Sequence, residues 1–282
     1  MTDTLDTHQS ANIIKLLNIG ESGSGKSGQQ AALVIAGYTL WLLDYDNGID
    51  IIRSALVEHY KNDPAGLQAA FQRVHFRTLR DTITFTNGIP KIKPPVHAYK
   101  DAGKILAEWK ADEFGPNDVL SLDSLTTFSE AAFNEALSVG GHLNQRPQLQ
   151  DYGWLSDSVK LFIEMLTSDM IKCHVIVNTH IRYFSGDAEE QTTSRGLPNA
   201  KGQEISRVIS RYFNTVVLSR TFGNGPAAKR VLTTQPQGVV EVKTSNPFAV
   251  QKSYPVETGL ADLFRDILGH GPVTQIQKQK AT

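Results

Sequence analysis

The sequence has little cysteine and little net charge. Cys173 is the one cysteine among 282 residues, and no CxxC or Cys/His cluster includes it, which excludes an internal disulfide and argues against structural zinc. We expect it to act as a small apolar residue beside a buried strand. The formal net charge of -1 excludes a global electrostatic field that would hold the chain on DNA or on an acidic membrane. Contact with nucleic acid would therefore require a local basic patch.

Long apolar runs are also absent from the sequence. Nowhere do about 18 apolar residues follow one another, and the N-terminal segment MTDTLDTHQS is polar. The sequence therefore predicts neither a membrane span nor a signal peptide, and we expect a cytoplasmic protein without a membrane partner. Hydrophobic residues make up 40% of the chain and charged residues 20%, which is enough to bury the core of one large domain.

Short apolar segments alternate with helical patterns along the chain. The near-continuous apolar runs predict strands covered on both faces, at residues 13–19, 39–43, 119–122, 174–177 and 215–218. Helical periodicity predicts helices between them, at residues 27–36, 51–60, 98–109, 127–137 and 155–168. Because such alternation implies right-handed crossovers, the sequence predicts an α/β fold with a mostly parallel sheet and helices on both faces.

The pattern changes in the last quarter of the sequence. Lys229–Thr233 and residues 239–243 flank the turn-like segment QPQG, so we predict an antiparallel hairpin at an edge of the sheet. A helix is predicted at Gly259–Leu268, and the polar tail TQIQKQKAT is expected to be disordered. The expected organisation is a polar segment at residues 1–11, a main domain at 12–250, and a helix with its tail at 251–282.

Two polar stretches are long for ordinary connections, residues 138–150 and residues 182–203. Long loops in a compact domain are usually functional or disordered. The second stretch leaves the end of a predicted core strand, which favours a functional role for it.

A phosphate-binding motif follows the first predicted strand. The sequence GESGSGKS, residues 20–27, matches the Walker A pattern GxxxxGK[ST] at every fixed position and precedes a predicted helix. Its glycines allow backbone N–H groups to point inward at a helix N-terminus, an arrangement that binds phosphate. Lys26 would reach the β and γ phosphates, and the Ser27 hydroxyl would ligate Mg²⁺. The alternative is a Gly/Ser-rich turn with an incidental lysine. The residues predicted to bind Mg-ATP are Gly20, Glu21, Ser22, Gly23, Ser24, Gly25, Lys26, Ser27 and Gly28.

Carboxylates end two of the predicted strands. Asp123 ends the run VLSL, which is typical of a Walker B aspartate that reaches the outer shell of the metal, and Ser124 is a candidate to assist it. The alternative for Asp123 is a cap on the helix that begins near Thr126. Asp44 and Asp46 follow the second strand, and one of them could orient or deprotonate an attacking water. We favour Asp46, although either aspartate could instead form an Asx turn or cap the next helix.

Polar residues also end the strand HVIVN. Asn178 and His180 are placed where a side chain could respond to the γ-phosphate and pass the difference to the following loop. The alternative for Asn178 is that it satisfies loop backbone groups. His180 is otherwise a packed or loop histidine, and the histidines show no metal-ligand spacing.

The order of these motifs resembles the RecA class of P-loop ATPases, and within it the RecA-like phage ATPases that include single-strand annealing proteins. The resemblance extends from Ile13 to Phe248. LLDYD resembles the strand end that carries the catalytic carboxylate, here Asp46, and LSLDSLT resembles the Walker B segment. VNTHIR resembles the nucleotide-sensing strand end, which would make residues 182–203 the mobile DNA-binding loop. RVLTTQPQGVVEVKTSNPF resembles the edge hairpin whose lysines reach the ATP of a neighbouring subunit, with Lys243 as the matching residue.

The resemblance implies an ATPase that forms a homo-oligomeric ring or filament and acts on single-stranded DNA in phage recombination or replication. Tyr183 or Phe184 would stack on bases. Alternatively, the cations belong to a solvated mixed-charge surface, because acidic residues lie among them. Two other functions remain open, namely a P-loop kinase or other phosphoryl transferase, and a nucleotide-gated binding protein with negligible hydrolysis. The residues predicted to contact DNA are Arg182, Arg195, Lys201, Arg207 and Arg211.

Overall fold

The apolar run KLLNIG forms strand β1 (Lys15–Gly20), in which every residue is buried. It pairs in parallel with β7 (His174–Phe184) on one side and with β9 (Thr215–Phe222) on the other. The computed structural model describes residues 12–184, 194–223, 225, 228–236 and 238–272. The polar segment at 1–11 and the predicted tail TQIQKQKAT, residues 274–282, therefore lie outside the described residues.

The main sheet has nine strands, in the order β11-β10-β9-β1-β7-β6-β2-β3, with β8 paired to β7. Its core strands are parallel, and β10 and β11 add antiparallel strands at one edge. The structure thus confirms the predicted α/β class, the mostly parallel sheet and its antiparallel edge. The remaining strands of the main sheet are β2 (Thr39–Asp44), β3 (Val74–Thr78), β6 (Asp118–Asp123), β8 (Arg195–Pro198), β10 (Lys229–Thr233) and β11 (Ser253–Pro255).

Helices cover both faces of the sheet because buried side chains alternate along the strands. Leu16 packs in one core with the helices at Gln30–Ile35, Ile49–His59 and Gly259–Leu268, whereas Leu17 packs on the other face with those at Ala98–Glu108, Leu125–Val139 and Leu149–Thr167. Burial raises the pKa of the Cys173 thiol to about 12, as expected for an inert core residue. The helices are α1 (Gln30–Ile35), α2 (Ile49–His59), α3 (Pro64–Gln72), α4 (Ala98–Glu108), α5 (Leu125–Val139), α6 (Leu149–Thr167), α7 (Gln203–Val208) and α8 (Gly259–Leu268). None of the helices in the described part of the chain is long and apolar enough to cross a membrane.

The predicted return strand of the edge hairpin is wrong. Residues 239–243 do not pair with β10, which pairs instead with β9 and with β11. Val240 forms a bridge to Gly196, and a Cβ on that glycine would lie 2.7 Å from Val240 Cγ2. Because Gly196 has no side chain, Val240 can pack in the core on one face of the sheet. Tyr254 of β11, which pairs with β10 in place of residues 239–243, packs in the core on the other face.

Several helix boundaries also differ from the prediction. Helix α1 begins three residues later than predicted. The residues that follow the phosphate-binding loop form hydrogen bonds between positions i and i+3, such as Gln30 N–H to Ser27 O at 3.2 Å, before the α-helix starts. Helix α6 begins early, inside the stretch predicted to be a loop at 138–150. Gln148 and Asp151 form a capping box that starts α6 there.

A separate hairpin was missed between the second and third predicted strands. It consists of β4 (Ile83–Thr86) and β5 (Ile89–Ile92), joined by Asn87 and Gly88, both with positive φ. An Asn-Gly pair between two apolar segments is a strong hairpin signal that could have identified it. Within the polar stretch at 182–203, residues 182–184 of β7 pair antiparallel with β8 (Arg195–Pro198), while residues 185–193 lie outside the described residues.

Candidate nucleotide-binding site

The phosphate-binding loop connects β1 to α1 and requires glycine at specific positions. Gly23 and Gly25 have φ values of 77° and 92°, in the left-handed region that favours glycine. A Cβ on Gly25 would lie 2.7 Å from Val256 Cγ1, and one on Gly20 would lie 2.5 Å from the carbonyl oxygen of Ser219. The loop is therefore enclosed by neighbouring backbone and by the segment after β11, and it has no room for side chains at these points.

Lys26 folds back over the loop that precedes it. Its Nζ donates hydrogen bonds to the carbonyl oxygens of Gly20 at 2.8 Å and Glu21 at 2.7 Å. Burial lowers the pKa of Lys26 to about 8, against the opposing effects of Asp123 and Asp46. The lysine remains cationic at neutral pH and is held by neutral acceptors, which a phosphate oxygen could replace with a stronger charge-assisted bond.

Asp123 and Ser27 meet at the carboxyl ends of the parallel strands. A Cβ on Gly48 would lie 2.7 Å from Asp123 Oδ2 and 3.2 Å from Ser27 Oγ, so the missing side chain keeps the space beside both groups open. Burial raises the pKa of Asp123 to about 6, although a hydrogen bond from Ser27 lowers it. Gln30 Nε2 donates to Asp123 Oδ2 at 3.2 Å. The Asp123 carboxylate thus faces the phosphate-binding loop instead of capping α5, whose N-cap is Ser124.

The two aspartates after β2 have different surroundings. Asp44 is fully buried and accepts hydrogen bonds from the amides of Gly48 at 2.8 Å and Ile49 at 3.4 Å, so it closes the turn before α2. Asp46 lines the cavity and accepts from the hydroxyls of Ser124, at 2.6 Å, and Thr127. Asp44 therefore has the turn role that the sequence allowed for either residue, and Asp46 is the carboxylate that faces the cavity.

The charge state of Asp46 is set by its neighbours. Burial alone would raise the pKa of Asp46, but hydrogen bonds from His180, Ser124 and Thr127 lower it to about 2. His180 Nε2 lies 3.6 Å from Asp46 Oδ2. The carboxylate is consequently ionised at every physiological pH, which makes it a strong hydrogen-bond acceptor.

Asn178 and His180 contact different residues in the structure. Asn178 is buried and accepts a hydrogen bond from Asn18 Nδ2 at 3.1 Å. It also lies beside Asp123 and lowers the pKa of that carboxyl, although its own Nδ2 completes no hydrogen bond among the described residues. His180 contacts Asp46, and its carbonyl oxygen accepts from the Asn199 amide at 2.7 Å. His180 thus links the cavity to the segment that follows β8.

One cavity of about 780 Å³ contains the phosphate-binding loop, Asp46, Asp123 and His180. Sequence analysis missed several of the residues that line it. Arg230 on β10 lines it beside Gly25, and no motif marked this arginine. Thr127, which lines the cavity, and Gly48, which leaves space beside Asp123, were also missed. The Asn-Gly pair after Asp46 and the hydroxyls of LTT after Ser124 are signals that could have identified them.

The cations predicted to contact DNA line two different clefts. Lys243 lines one of these clefts and does not line the cavity at the phosphate-binding loop of its own chain. Arg182 and Lys201 line a cleft of about 430 Å³ together with Tyr152. The Arg182 guanidinium lies 5.2 Å from the ring centroid of Phe184. The other predicted cations line a second cleft of about 420 Å³, which we call the cationic cleft. The cations of the cationic cleft are Arg195, Arg207, Arg211 and Lys243.

The cavity that contains the phosphate-binding loop, here called the nucleotide cavity, shares a wall with the cleft lined by Arg182 and Lys201, here called the Arg182 cleft. Thr126 and Glu130, on the first turns of α5, line both. Thr126 Oγ1 donates to the carbonyl oxygen of Asn199 at 2.8 Å and accepts from the amide of His180 at 3.2 Å. Hydrogen bonds from Thr127 to Asp46 and from Thr126 to Asn199 thus connect Asp46, through α5, to the residues beside Lys201.

Comparisons with known proteins find similarity in solved structures only. No protein-family model matches the chain, and no curated protein matches it. The RadB recombinase is 14% identical with a TM-score of 0.47, over 87% of this chain and 89% of that chain. A KaiC-like protein from Pyrococcus horikoshii OT3 is 11% identical with a TM-score of 0.43, over 87% and 88%. The flagellar accessory protein FlaH from Methanocaldococcus jannaschii is 14% identical with a TM-score of 0.40, over 89% and 89%.

Proposed function

We propose that this chain is a RecA-like ATPase that binds Mg-ATP, hydrolyses it slowly, and acts on single-stranded DNA in phage recombination or replication. The observation that carries the proposal is the convergence of Lys26, Ser27, Asp123 and Asp46 on one cavity at the carboxyl ends of parallel strands. A lysine, a hydroxyl and two carboxylates in one place are the groups that phosphoryl transfer to water requires.

The residues present fit a triphosphate with a magnesium ion. The loop amides and Lys26 would hold the phosphates, since Gly23 and Gly25 have the backbone conformations that such a nest needs. Ser27 Oγ would ligate Mg²⁺ and Asp123 would accept from its bound waters, in the space that Gly48 leaves open. Bound Mg²⁺ supplies charge neutralisation on the phosphate oxygens.

Asp46 would hold the attacking water by accepting a hydrogen bond from it. Because its pKa is about 2, Asp46 is a weak base, and orientation of the water is its main contribution. Ser124 and Thr127 fix the carboxylate from the side of α5. This arrangement supports slow hydrolysis that speeds up when another ligand improves the geometry.

The Arg182 cleft is the surface we propose for single-stranded DNA. It combines cations with aromatic side chains, a combination that suits strand binding through phosphates and base stacking. Tyr152 in this cleft is 42% exposed, so its ring is accessible to bases. The shared wall at Thr126 gives a physical route by which DNA could alter the position of Asp46.

Phosphate release with and without single-stranded DNA, in the wild type and in Lys26→Ala, tests the proposal. We expect DNA stimulation in the wild type and loss of both turnover and nucleotide binding in the variant, with Lys110→Ala, an exposed lysine outside the cavity, as control. DNA-independent transfer of phosphate to a small acceptor would show a kinase instead. ATP-dependent assembly without any phosphate release would show a nucleotide-gated binding protein.

A further inference from the structure

A row of buried polar side chains crosses the main sheet beneath the phosphate-binding loop. Its members are at most 1% exposed and lie on the neighbouring strands β9, β1, β7 and β6. In that order they are Ser219, Asn18, Asn178 and Asp123, and we call them the polar row. The apolar residues on the same face of these strands, such as Leu16, form one core with helix α1. Because buried polar groups are costly unless they are hydrogen-bonded, a polar row within an apolar core indicates a specific role for it.

The hydrogen bonds of the polar row run in one direction. Gln29, which precedes α1, donates from Nε2 to Ser219 Oγ at 2.8 Å, and Ser219 Oγ donates to Asn18 Oδ1 at 2.7 Å. Asn18 Nδ2 then donates to Asn178 Oδ1 at 3.1 Å. Both ends of the Asn18 amide are therefore occupied, which fixes its orientation. Because the oxygen of Asn178 faces Asn18, the nitrogen of Asn178 is turned toward the next strand, where Asp123 is its register partner.

Asp123 is supported from two sides at the end of the polar row. Asn178 Nδ2 is a buried donor that completes no hydrogen bond with the part of the chain that the structure describes, and the Asp123 carboxylate is the acceptor beside it. Burial raises the pKa of the Asp123 carboxyl, and the Asn178 side chain is among the groups that lower it. From α1, Gln30 Nε2 donates to Asp123 Oδ2 at 3.2 Å. Gln29 and Gln30 thus attach the start of α1 to both ends of the row.

The polar row lies beneath the nucleotide cavity, and one of its members reaches the cavity. Asp123 lines the cavity, whereas Asn18, Asn178 and Ser219 do not. A ligand in the cavity would therefore contact the row at Asp123, and the other members would act on the ligand through this carboxylate. Groups that hold a metal-binding carboxylate from behind typically change metal affinity by about 10-fold to 100-fold when they are removed.

We propose that Asn18 is a positioning residue for the magnesium end of the nucleotide site, where it holds the Asn178 amide with its nitrogen toward Asp123. The proposal rests on the proposed function for the presence of the metal. The Asp123 carboxylate would receive a hydrogen bond from the fold and keep its remaining lone pairs for the waters bound to Mg²⁺. Without Asn18, the Asn178 amide is free to turn its oxygen toward Asp123, and two acceptors would then face each other.

The first test compares nucleotide affinity with and without magnesium. Asn18→Val places an apolar side chain suited to a buried strand at this position, and it should weaken binding of a fluorescent ATP analogue with Mg²⁺ by about tenfold. In EDTA its affinity should stay within twofold of the wild type, because the loop amides and Lys26 do not depend on the polar row. The matched control is Thr215→Val, which replaces another buried polar residue of β9 and should leave both affinities unchanged. Magnesium-dependent binding by a folded Asn18→Val protein within twofold of the wild type would overturn the proposal.

The second test establishes whether Asn18 acts through Asp123. Asp123→Asn should itself weaken magnesium-dependent binding. Addition of Asn18→Val to this variant should cause no further loss beyond twofold, because the carboxylate that Asn18 supports is already gone. A further tenfold loss in the double variant would show that Asn18 acts elsewhere and would overturn the proposal.

A milder variant covers the case in which Asn18→Val does not fold. Ser219→Ala removes the donor to Asn18 Oδ1, and it should weaken magnesium-dependent binding by about threefold, as expected for one hydrogen bond. Binding of Ser219→Ala at the wild-type level would overturn the proposal. If the wild type binds nucleotide more tightly with magnesium and Asn18→Val matches it, this inference alone is wrong. If the wild type binds no nucleotide in either condition, the proposed function falls together with it.

Discussion

The nucleotide cavity and the cationic cleft lie on the same sheet but differ in how their charges are balanced. In the cavity, Lys26 is held by two carbonyl oxygens and Asp46 by two hydroxyls, so each charge has partners within the chain. In the cationic cleft, the positive side chains form no ion pair with any described residue. Burial explains the difference, because a buried charge without partners is costly whereas an exposed one is solvated. The charges of the first region are therefore balanced within the chain, whereas the cations of the second are exposed to solvent and open to an anion.

The largest effect that would sharpen this comparison is expected at Asp46. Asp46→Asn should lower the rate of ATP hydrolysis by roughly 10² to 10⁴, because the amide is a weaker acceptor for the attacking water. The affinity for ATP, measured by titration with a fluorescent analogue, should stay within a few-fold of wild type. Asp44→Asn is the informative comparison, since that side chain holds a turn and its loss should lower the melting temperature. A folded Asp44→Asn protein with the greater loss of turnover would contradict the assignment.

Lys243→Ala is expected to have the next largest effect. Because Lys243 lies away from the cavity of its own chain, nucleotide binding by the monomer should be unchanged, whereas turnover of the assembled protein should fall by at least about tenfold. The measurement is phosphate release above and below the concentration at which the protein assembles. Arg77→Ala, which removes an exposed arginine paired with Glu108, is the matched control. Loss of nucleotide binding in Lys243→Ala would place its role within its own subunit.

The pH dependence of magnesium binding should show an intermediate effect. The pKa of Asp123 is raised to about 6, so its carboxyl gains a proton as the pH falls through that value and can no longer accept from metal-bound water. Magnesium-dependent nucleotide affinity should therefore fall by about tenfold per pH unit below about 6. Lys26, with a pKa of about 8, stays protonated throughout this range. The same titration on Asp123→Asn separates this loss from protonation of the nucleotide, and equal pH profiles for the two proteins would count against Asp123.

The smallest effect is expected in the Arg182 cleft. Arg182→Ala should weaken binding to single-stranded DNA by a few-fold and reduce the slope of log affinity against log salt by about 0.7, as for one lost phosphate contact. Fluorescence anisotropy between low and moderate salt measures this slope. Arg211→Ala, in the cationic cleft, should leave it unchanged for the dilute monomer. The reverse result would move the proposed DNA surface to the cationic cleft.

The parts of the fold that follow from neighbouring residues could be predicted. Short-range sequence patterns identified the loop GESGSGKS and the apolar runs that form β1, β2, β6, β7 and β9. The α/β class with its mostly parallel sheet, which follows from these patterns, is confirmed. The hairpin at residues 83–92 carried an Asn-Gly signal and was overlooked. The pairing of β10 with β11 was not predictable in this way, because it depends on Val240 entering the space beside Gly196, more than 40 positions earlier in the chain.

The sequence by itself determined which chemical groups are present and where strands end. Asp44 and Asp46 are both placed by the end of β2, but only the tertiary structure assigned one to a turn and the other to the cavity. The division of the arginines and lysines between two clefts was also decided by packing between distant segments. The physical reason is that backbone conformation depends on local residues, whereas the surroundings of a side chain depend on which remote segments the sheet brings together.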